Sequence, residues 1–143
     1  MEIGYIILNI GGIFMDMELL KKEMLEKKVW AVVGASPKKD KFGYKIYKKL
    51  KARDYEVYPV NPGCDLIDGD KCYASISELP KIPDCINMVV PPRVTKNTLE
   101  EILNLNIKNV WLQPGTFDEE TIELYEEKGI DIVYYDCILV ALG

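Results

Sequence analysis

Apolar and polar positions alternate along the chain in two periods, and the switch between them marks out the elements. From Asp16 to Lys28, Met17, Leu20, Met24 and Leu25 recur at helical spacing among charged residues, which predicts an amphipathic helix. Val29 to Val33 is a short apolar run closed by Gly34 and reads as a buried parallel strand. Gly43 to Arg53 places Tyr44, Ile46, Tyr47 and Leu50 on one side of a helix and lysines on the other. Glu56 to Val60 predicts a second strand, stopped by the turn sequence Asn61-Pro62-Gly63.

The same alternation continues. Ser77 to Pro80 predicts a short helical turn, and Cys85 to Val90 a third strand stopped by Pro91-Pro92. Thr95 to Leu105 predicts a helix with Leu99, Ile102 and Leu103 facing inward, and Asn109 to Leu112 a fourth strand ended by Gln113-Pro114-Gly115. Asp118 to Lys128 is a helix with Asp118 as N-cap and Gly129 as its stop, and Ile130 to Tyr135 is a fifth strand. Strands alternating with helices imply an α/β fold: a Rossmann-like, doubly wound sheet of about five mostly parallel strands with helices on both faces. Residues 15–143 are expected to form one domain. Met1 to Phe14 is an apolar N-terminal extension, too short to span a bilayer and without a cleavage site, and Met15 and Met17 are alternative starts.

Composition narrows the chemistry. The net charge of −5 argues against broad nucleic-acid binding, and no segment reads as a membrane anchor. The four cysteines, Cys64, Cys72, Cys85 and Cys137, form no C-x-x-C pair, and the chain has no histidine. Free, reduced thiols in a cytoplasmic protein follow, and no metal site is expected. Histidine-based triads and general bases are excluded, so any catalysis would fall to Asp, Glu, Lys, Tyr or Cys.

Ligands of such sheets bind outside the carboxyl ends of the strands, where the strand order reverses. The loop from Gly34 to Gly43 lies there. Gly34 permits a tight turn, Ser36 offers a hydroxyl and an amide, and the helix beginning at Gly43 directs its first N–H groups at an anion. The loop is neither a G-x-G-x-x-G fingerprint nor a P-loop, and a plain βα turn accounts for Gly34 and Ser36 as well. NAD enzymes usually carry Asp or Glu after the second strand; this chain has Val60-Asn61-Pro62. Lys38, Lys39 and Lys41 suit an extra phosphate, or are simply a solvated loop. Val89, Val90, Pro91 and Pro92 form a stiff apolar shelf, with Thr95 or Thr98 able to cap the next helix.

The segments VVGASPKKDKFGYKIYKKL, YEVYPVNP, CYASISELP, MVVPP and VWLQPG, in that order, resemble the stand-alone CoA-binding protein family. That family is similar to the N-terminal CoA-binding domain of the succinyl-CoA synthetase alpha subunit. The resemblance runs from about Val29 to Ile138 and implies coenzyme A as the bound cofactor. It implies that Gly34, Ala35, Ser36 and Gly43 cradle phosphate with Lys41 close by. Val60, Asn61 and Pro62 would border the adenosine, and Val90, Pro91 and Pro92 the middle of the cofactor. Thr98 matches a small hydroxyl residue of the synthetase helix, and Gln113 and Gly115 would lie near the pantetheine exit. Asp136-Cys137-Ile138 matches the family's ending.

The sequence runs to Gly143 and holds no histidine, so the ligase domain of a synthetase and its phosphorylated histidine are expected to be missing. The expectation is therefore a CoA or acyl-CoA binding module that is non-catalytic by itself. A protein partner or a second copy is left open. Two alternatives stand beside it: an enzyme acting on a CoA thioester or disulfide through Cys137, and an NADP-dependent oxidoreductase.

Overall fold

The computed structural model describes residues 12–143. Five strands form one parallel sheet: β1 (Val29–Val33), β2 (Glu56–Val60), β5 (Cys85–Met88), β6 (Asn109–Leu112) and β7 (Asp131–Val133), in the order β2-β1-β5-β6-β7. A separate antiparallel hairpin, β3 (Leu66–Ile67) and β4 (Asp70–Lys71), lies between β2 and β5 in sequence. The helices are α1 (Gly12–Leu25), α2 (Phe42–Ala52), α3 (Pro92–Asn104), α4 (Glu119–Glu127) and α5 (Ile138–Leu142), with a 3-10 turn at Ile76–Glu78.

Successive residues of each strand face opposite sides, so the sheet builds two cores. Ala31, Val33, Ile86, Met88, Val110 and Leu112 pack with Leu99 and Ile102 of α3 and Tyr125 of α4. Trp30, Val32, Cys85, Trp111 and Val133 pack on the other side with Met24 of α1, Ile46, Tyr47 and Leu50 of α2, and Ile138 of α5. Trp30 and Trp111 are both 0% exposed, with ring centroids 6.4 Å apart. Tilted aromatic contacts of this kind are worth about 1 kcal/mol beyond area burial. Covering both faces explains why the strands read as unbroken apolar runs.

The expected elements are present with shifted ends. The first helix begins at Gly12, before Asp16, and ends at Leu25; part of the expected extension, residues 1–11, lies outside the described residues. The third strand stops at Met88 and the fifth spans Asp131–Val133, each shorter than its apolar run. Pro91 and Pro92 do more than end a strand. Pro91 is the cap and Pro92 the first residue of α3, where the missing N–H has no intrahelical role. That early start overturns the expectation that Thr95 or Thr98 caps this helix. Asp118 caps α4 as expected, its carboxylate accepting from the Thr121 amide at 2.8 Å.

Two elements go beyond the expectation. The β3–β4 hairpin turns at Asp68 and Gly69, both at positive φ (50° and 86°), the backbone signature of a tight primed turn. The α5 helix ends against α2, where the Arg53 guanidinium donates to the carbonyls of Leu142 (2.5 Å) and Gly143.

The most constrained backbone is at Gly34, with φ +98°, where a Cβ would overlap the Val89 carbonyl and lie 2.7 Å from Val90 Cγ1. Gly34→Ala is expected to lose at least about 2 kcal/mol, from the left-handed penalty plus the overlap. Gly129, also left-handed (φ +79°), has nothing within 4 Å of its Cβ position, so Gly129→Ala should lose only the penalty of about 1 kcal/mol. Thermal unfolding of the two variants side by side checks the ordering; equal losses would show that the Val89 contact is not limiting.

Candidate functional site

The sheet order reverses between β1 and β5, because the chain leaves β1 for β2 and returns on the opposite side to β5. Three backbones meet at that point. The Gly34 amide donates to the Val60 carbonyl (2.9 Å), and the Val89 amide donates to the Val33 carbonyl (2.8 Å). A Cβ on Gly43 would overlap the Gly34 carbonyl, so α2 enters directly against the end of β1.

Above this junction is a cleft of about 510 Å³ lined by Gly34, Ser36, Pro37, Lys38, Lys41, Phe42, Gly43, Asn61, Gly63, Cys64 and Val89. Its lining contains two lysines and no carboxylate. The Lys41 amide donates to the Lys38 carbonyl (3.0 Å), a turn that places the two lysines at its ends. Among the described residues neither has a carboxylate within ion-pair distance. Lys41 is also the N-cap of α2, and its side chain makes no capping bond. The amides of Phe42 and Gly43 therefore begin the helix without a side-chain acceptor from the cap, which concentrates the positive end of the helix dipole in the cleft.

Asn61 holds the opposite wall. Its Nδ2 donates to the Ala35 carbonyl (2.7 Å), and its Oδ1 accepts from the Gly63 amide (2.8 Å). One side chain thereby ties the loop after β2 to the loop after β1. Ser36 Oγ accepts from the Lys38 amide at 3.1 Å and shapes the same loop.

The residues singled out in the sequence fall into two groups. Gly34, Ser36, Lys41, Gly43 and Asn61 line the cleft. Ala35 and Val60 are buried beneath it, and Pro62 is exposed beside Asn61. Val90, Pro91, Pro92, Thr98 and Gln113 are outside its lining. Val90, Pro91 and Pro92 follow Val89 along the rim, and the Thr98 hydroxyl donates within its own helix to Val94 O at 2.7 Å. Gly115, past the end of β6, is exposed.

Gln113 is buried and joins three partners. Its Oε1 accepts from Asn87 Nδ2 (3.2 Å) and from the Ile138 amide (2.9 Å), while its Nε2 donates to Cys137 Sγ (3.2 Å). The side chain thus locks the end of β6 to β5 and to the start of α5. The two buried thiols are weakly acidic: desolvation pushes Cys85 up to about 12, and desolvation with the neighbouring Cys64 thiol pushes Cys72 up to about 11. Both are poor nucleophiles as a result. Among the described residues no group of His, Cys, Asp and Glu is arranged to hold a metal ion, and no helix is long and apolar enough to cross a membrane.

Phe42, Pro37, Gly63 and Cys64 also line the cleft and were not singled out from the sequence as site residues, whereas Val89, the first residue of the expected apolar shelf, does line it. Phe42 had a readable signal, since it stands between the loop lysines and Gly43 at the start of a helix whose apolar face lies elsewhere.

The family described as CoA binding domain matches residues 28–143. The chain belongs to this family. This CoA-binding-domain chain is 32% identical over 121 residues to the uncharacterized protein YneT of Bacillus subtilis, covering 84% of this chain and 90% of that one. It is 33% identical over 119 residues to the alpha subunit of an ADP-forming acetate–CoA ligase of Pyrococcus furiosus, which covers 76% of this chain and 26% of the subunit. The chain therefore spans about a quarter of that ligase subunit. A conserved hypothetical protein of Pyrococcus furiosus superposes with a TM-score of 0.75 at 41% identity, over 80% of this chain and 98% of that one. A hypothetical protein of Pyrococcus horikoshii gives 0.80 at 31% identity, over 87% of each chain.

The hairpin beside the cleft is held to α2 by two aspartates. Tyr44 and Lys48 contact Asp68 (2.6 and 3.1 Å), and Lys51 and Tyr47 contact Asp70 (2.5 and 2.7 Å). The Tyr44 hydroxyl, then Lys48, holds Asp68 below the usual carboxylate range, and Lys51, then Tyr47, does the same for Asp70. Groups with depressed folded-state pKa values stabilise above their unfolded value of about 3.9 and lose that contribution as pH falls through the folded value. Protection of the hairpin amides, taken as the exchange rate relative to the intrinsic rate at the same pH, is expected to fall below about pH 3.9, ahead of the central strands. In the Asp68→Asn/Asp70→Asn double variant that protection should be low already at neutral pH and should change little on acidification. Unchanged protection in that variant would show that the aspartates do not hold the hairpin.

Proposed function

We propose that the protein binds coenzyme A, or an acyl-CoA, across the carboxyl ends of β2, β1 and β5, and that it performs no reaction by itself. The observation that carries this reading is the charge of the cleft. In a chain with 23 acidic and 18 basic residues, the lining holds two lysines, a helix N-terminus and no carboxylate. Such a site favours a polyanion, and family membership supports CoA as the one it takes.

The residues fit the ligand part by part. The pyrophosphate meets the Gly34-Ala35-Ser36 loop and the first amides of α2, where backbone N–H groups and the dipole both favour negative charge. Lys38 and Lys41 neutralise the ribose phosphate or the outer pyrophosphate oxygens. Val60, Asn61 and Pro62 border the adenosine. The pantetheine arm leaves over Val89 and Val90, along Pro91 and Pro92, towards Gln113 and Cys137. Thr98 sits nearly two turns inside α3, on this side of the proposed route. Bound in this way, the thiol end is directed to the far side of the rim, where a partner protein could act on it. The related ligases, of which this chain covers a small part, supply the precedent for pairing such a domain with catalytic ones.

Thermal unfolding with CoA, dephospho-CoA, NAD and NADP tests the reading. Ligand at a hundredfold excess over its Kd should stabilise the native state by about 2.7 kcal/mol. CoA is expected to give the largest shift. Lys38→Ala and Lys41→Ala should each weaken CoA about tenfold, the loss of one charge-assisted contact, and narrow the gap between CoA and dephospho-CoA. A shift with NADP and none with CoA would overturn the proposal.

A further inference from the structure

Phe42 is the first residue of α2, and it is 60% exposed while lining the cleft. The position is unusual for a large apolar ring. The core-facing side of α2 is already supplied by Ile46, Tyr47 and Leu50, and Phe42 belongs to neither core. One face of the ring is occupied from outside the cleft: Lys45, one turn along the helix, places its Nζ 5.7 Å from the ring centroid and does not line the cleft. Among the described residues no aromatic ring and no other cation is stacked on Phe42, so its other face carries no such contact. Pro37, which also lines the cleft, adds a second rigid apolar surface, and Lys38 and Lys41 lie between the two in sequence.

From this arrangement we infer that Phe42 is the stacking platform for the ligand's purine ring, with Pro37 closing the slot. The inference rests on the proposed CoA binding and adds to it the residue that selects an adenine nucleotide over other phosphate esters. The chemistry is that of aromatic–base stacking: a flat π-face is offered beside the phosphate-binding cations, so that base and phosphates are held together. The platform discriminates by the presence of a base, whereas the lysines and the helix terminus respond only to phosphate. A cleft with cations alone would take any organic phosphate of suitable size.

The decisive experiment is calorimetric titration of the wild-type protein, Phe42→Ala, Phe42→Leu and Phe42→Trp with CoA, 3′,5′-ADP and 4′-phosphopantetheine. The last ligand keeps a phosphate and the pantetheine arm but has no base. Phe42 is exposed, so the substitutions leave both cores intact. Phe42→Ala and Phe42→Leu are expected to weaken CoA and 3′,5′-ADP about tenfold or more, and to leave 4′-phosphopantetheine within twofold. Phe42→Trp should retain wild-type affinity. Equal losses for all three ligands, or no loss for CoA in Phe42→Ala, would overturn the stacking role while wild-type CoA binding stands. A wild-type protein that binds none of the three would overturn the CoA-binding reading itself, and the platform with it.

Discussion

The carbonyl of Val89 against the α-carbon of Gly34, and the carbonyl of Gly34 against the α-carbon of Gly43, bring three backbones closer than any side chain allows. The end of β1, the end of β5 and the start of α2 meet in that contact. It sets where α2 begins, and so where its unpaired amides point. It also sets where the lysine turn projects and how deep the cleft is. The glycines are needed for closeness of packing first; room for a ligand follows from it. A methyl group at Gly43 would push α2 away from the end of β1, and one at Gly34 would push the segment after β5 away from it.

Electrostatics divides α2 along its length. Lys48 and Lys51 are met by Asp68 and Asp70 of the hairpin, while Lys38 and Lys41 at the other end have no carboxylate partner among the described residues. The acidic surplus of the chain is thus spent away from the cleft. Exposed ion pairs are individually worth little, and their larger effect here is on where uncompensated positive charge remains. Cys64, in the turn between β2 and the hairpin, lines the cleft wall.

A second polar arrangement governs the far end of the rim. Gln113 satisfies its amide with Asn87, Cys137 and the Ile138 amide, in a place where water is excluded. An unpaired amide there would cost about 1–3 kcal/mol, so the end of β6 and the start of α5 are held in one geometry. The chain after β7 is drawn back across the sheet, and α5 is carried to α2, where Arg53 anchors its carbonyls. Cleft and far rim are therefore parts of one braced edge.

Much of this was legible from residue order. The five sheet strands, the four longer helices, the Asp118 cap and the cleft residues Gly34, Ser36, Lys41, Gly43 and Asn61 follow from apolar periodicity and from glycine, proline and asparagine at strand ends, because these are local preferences. The hairpin was missed although Asp68-Gly69 is a hairpin dipeptide, since its strands are only two residues each and show no alternation. The last helix was missed because Ile138–Leu142 is apolar throughout and has no helical period of its own. The sequence by itself determined the α/β alternation, the loop chemistry and the family. Tertiary structure alone decided that Gln113 turns inward, that Thr98 bonds its own helix and that Phe42 faces the cleft. Those outcomes depend on which distant backbone or side chain lies within hydrogen-bond or van der Waals reach, a relation between elements that no local pattern contains.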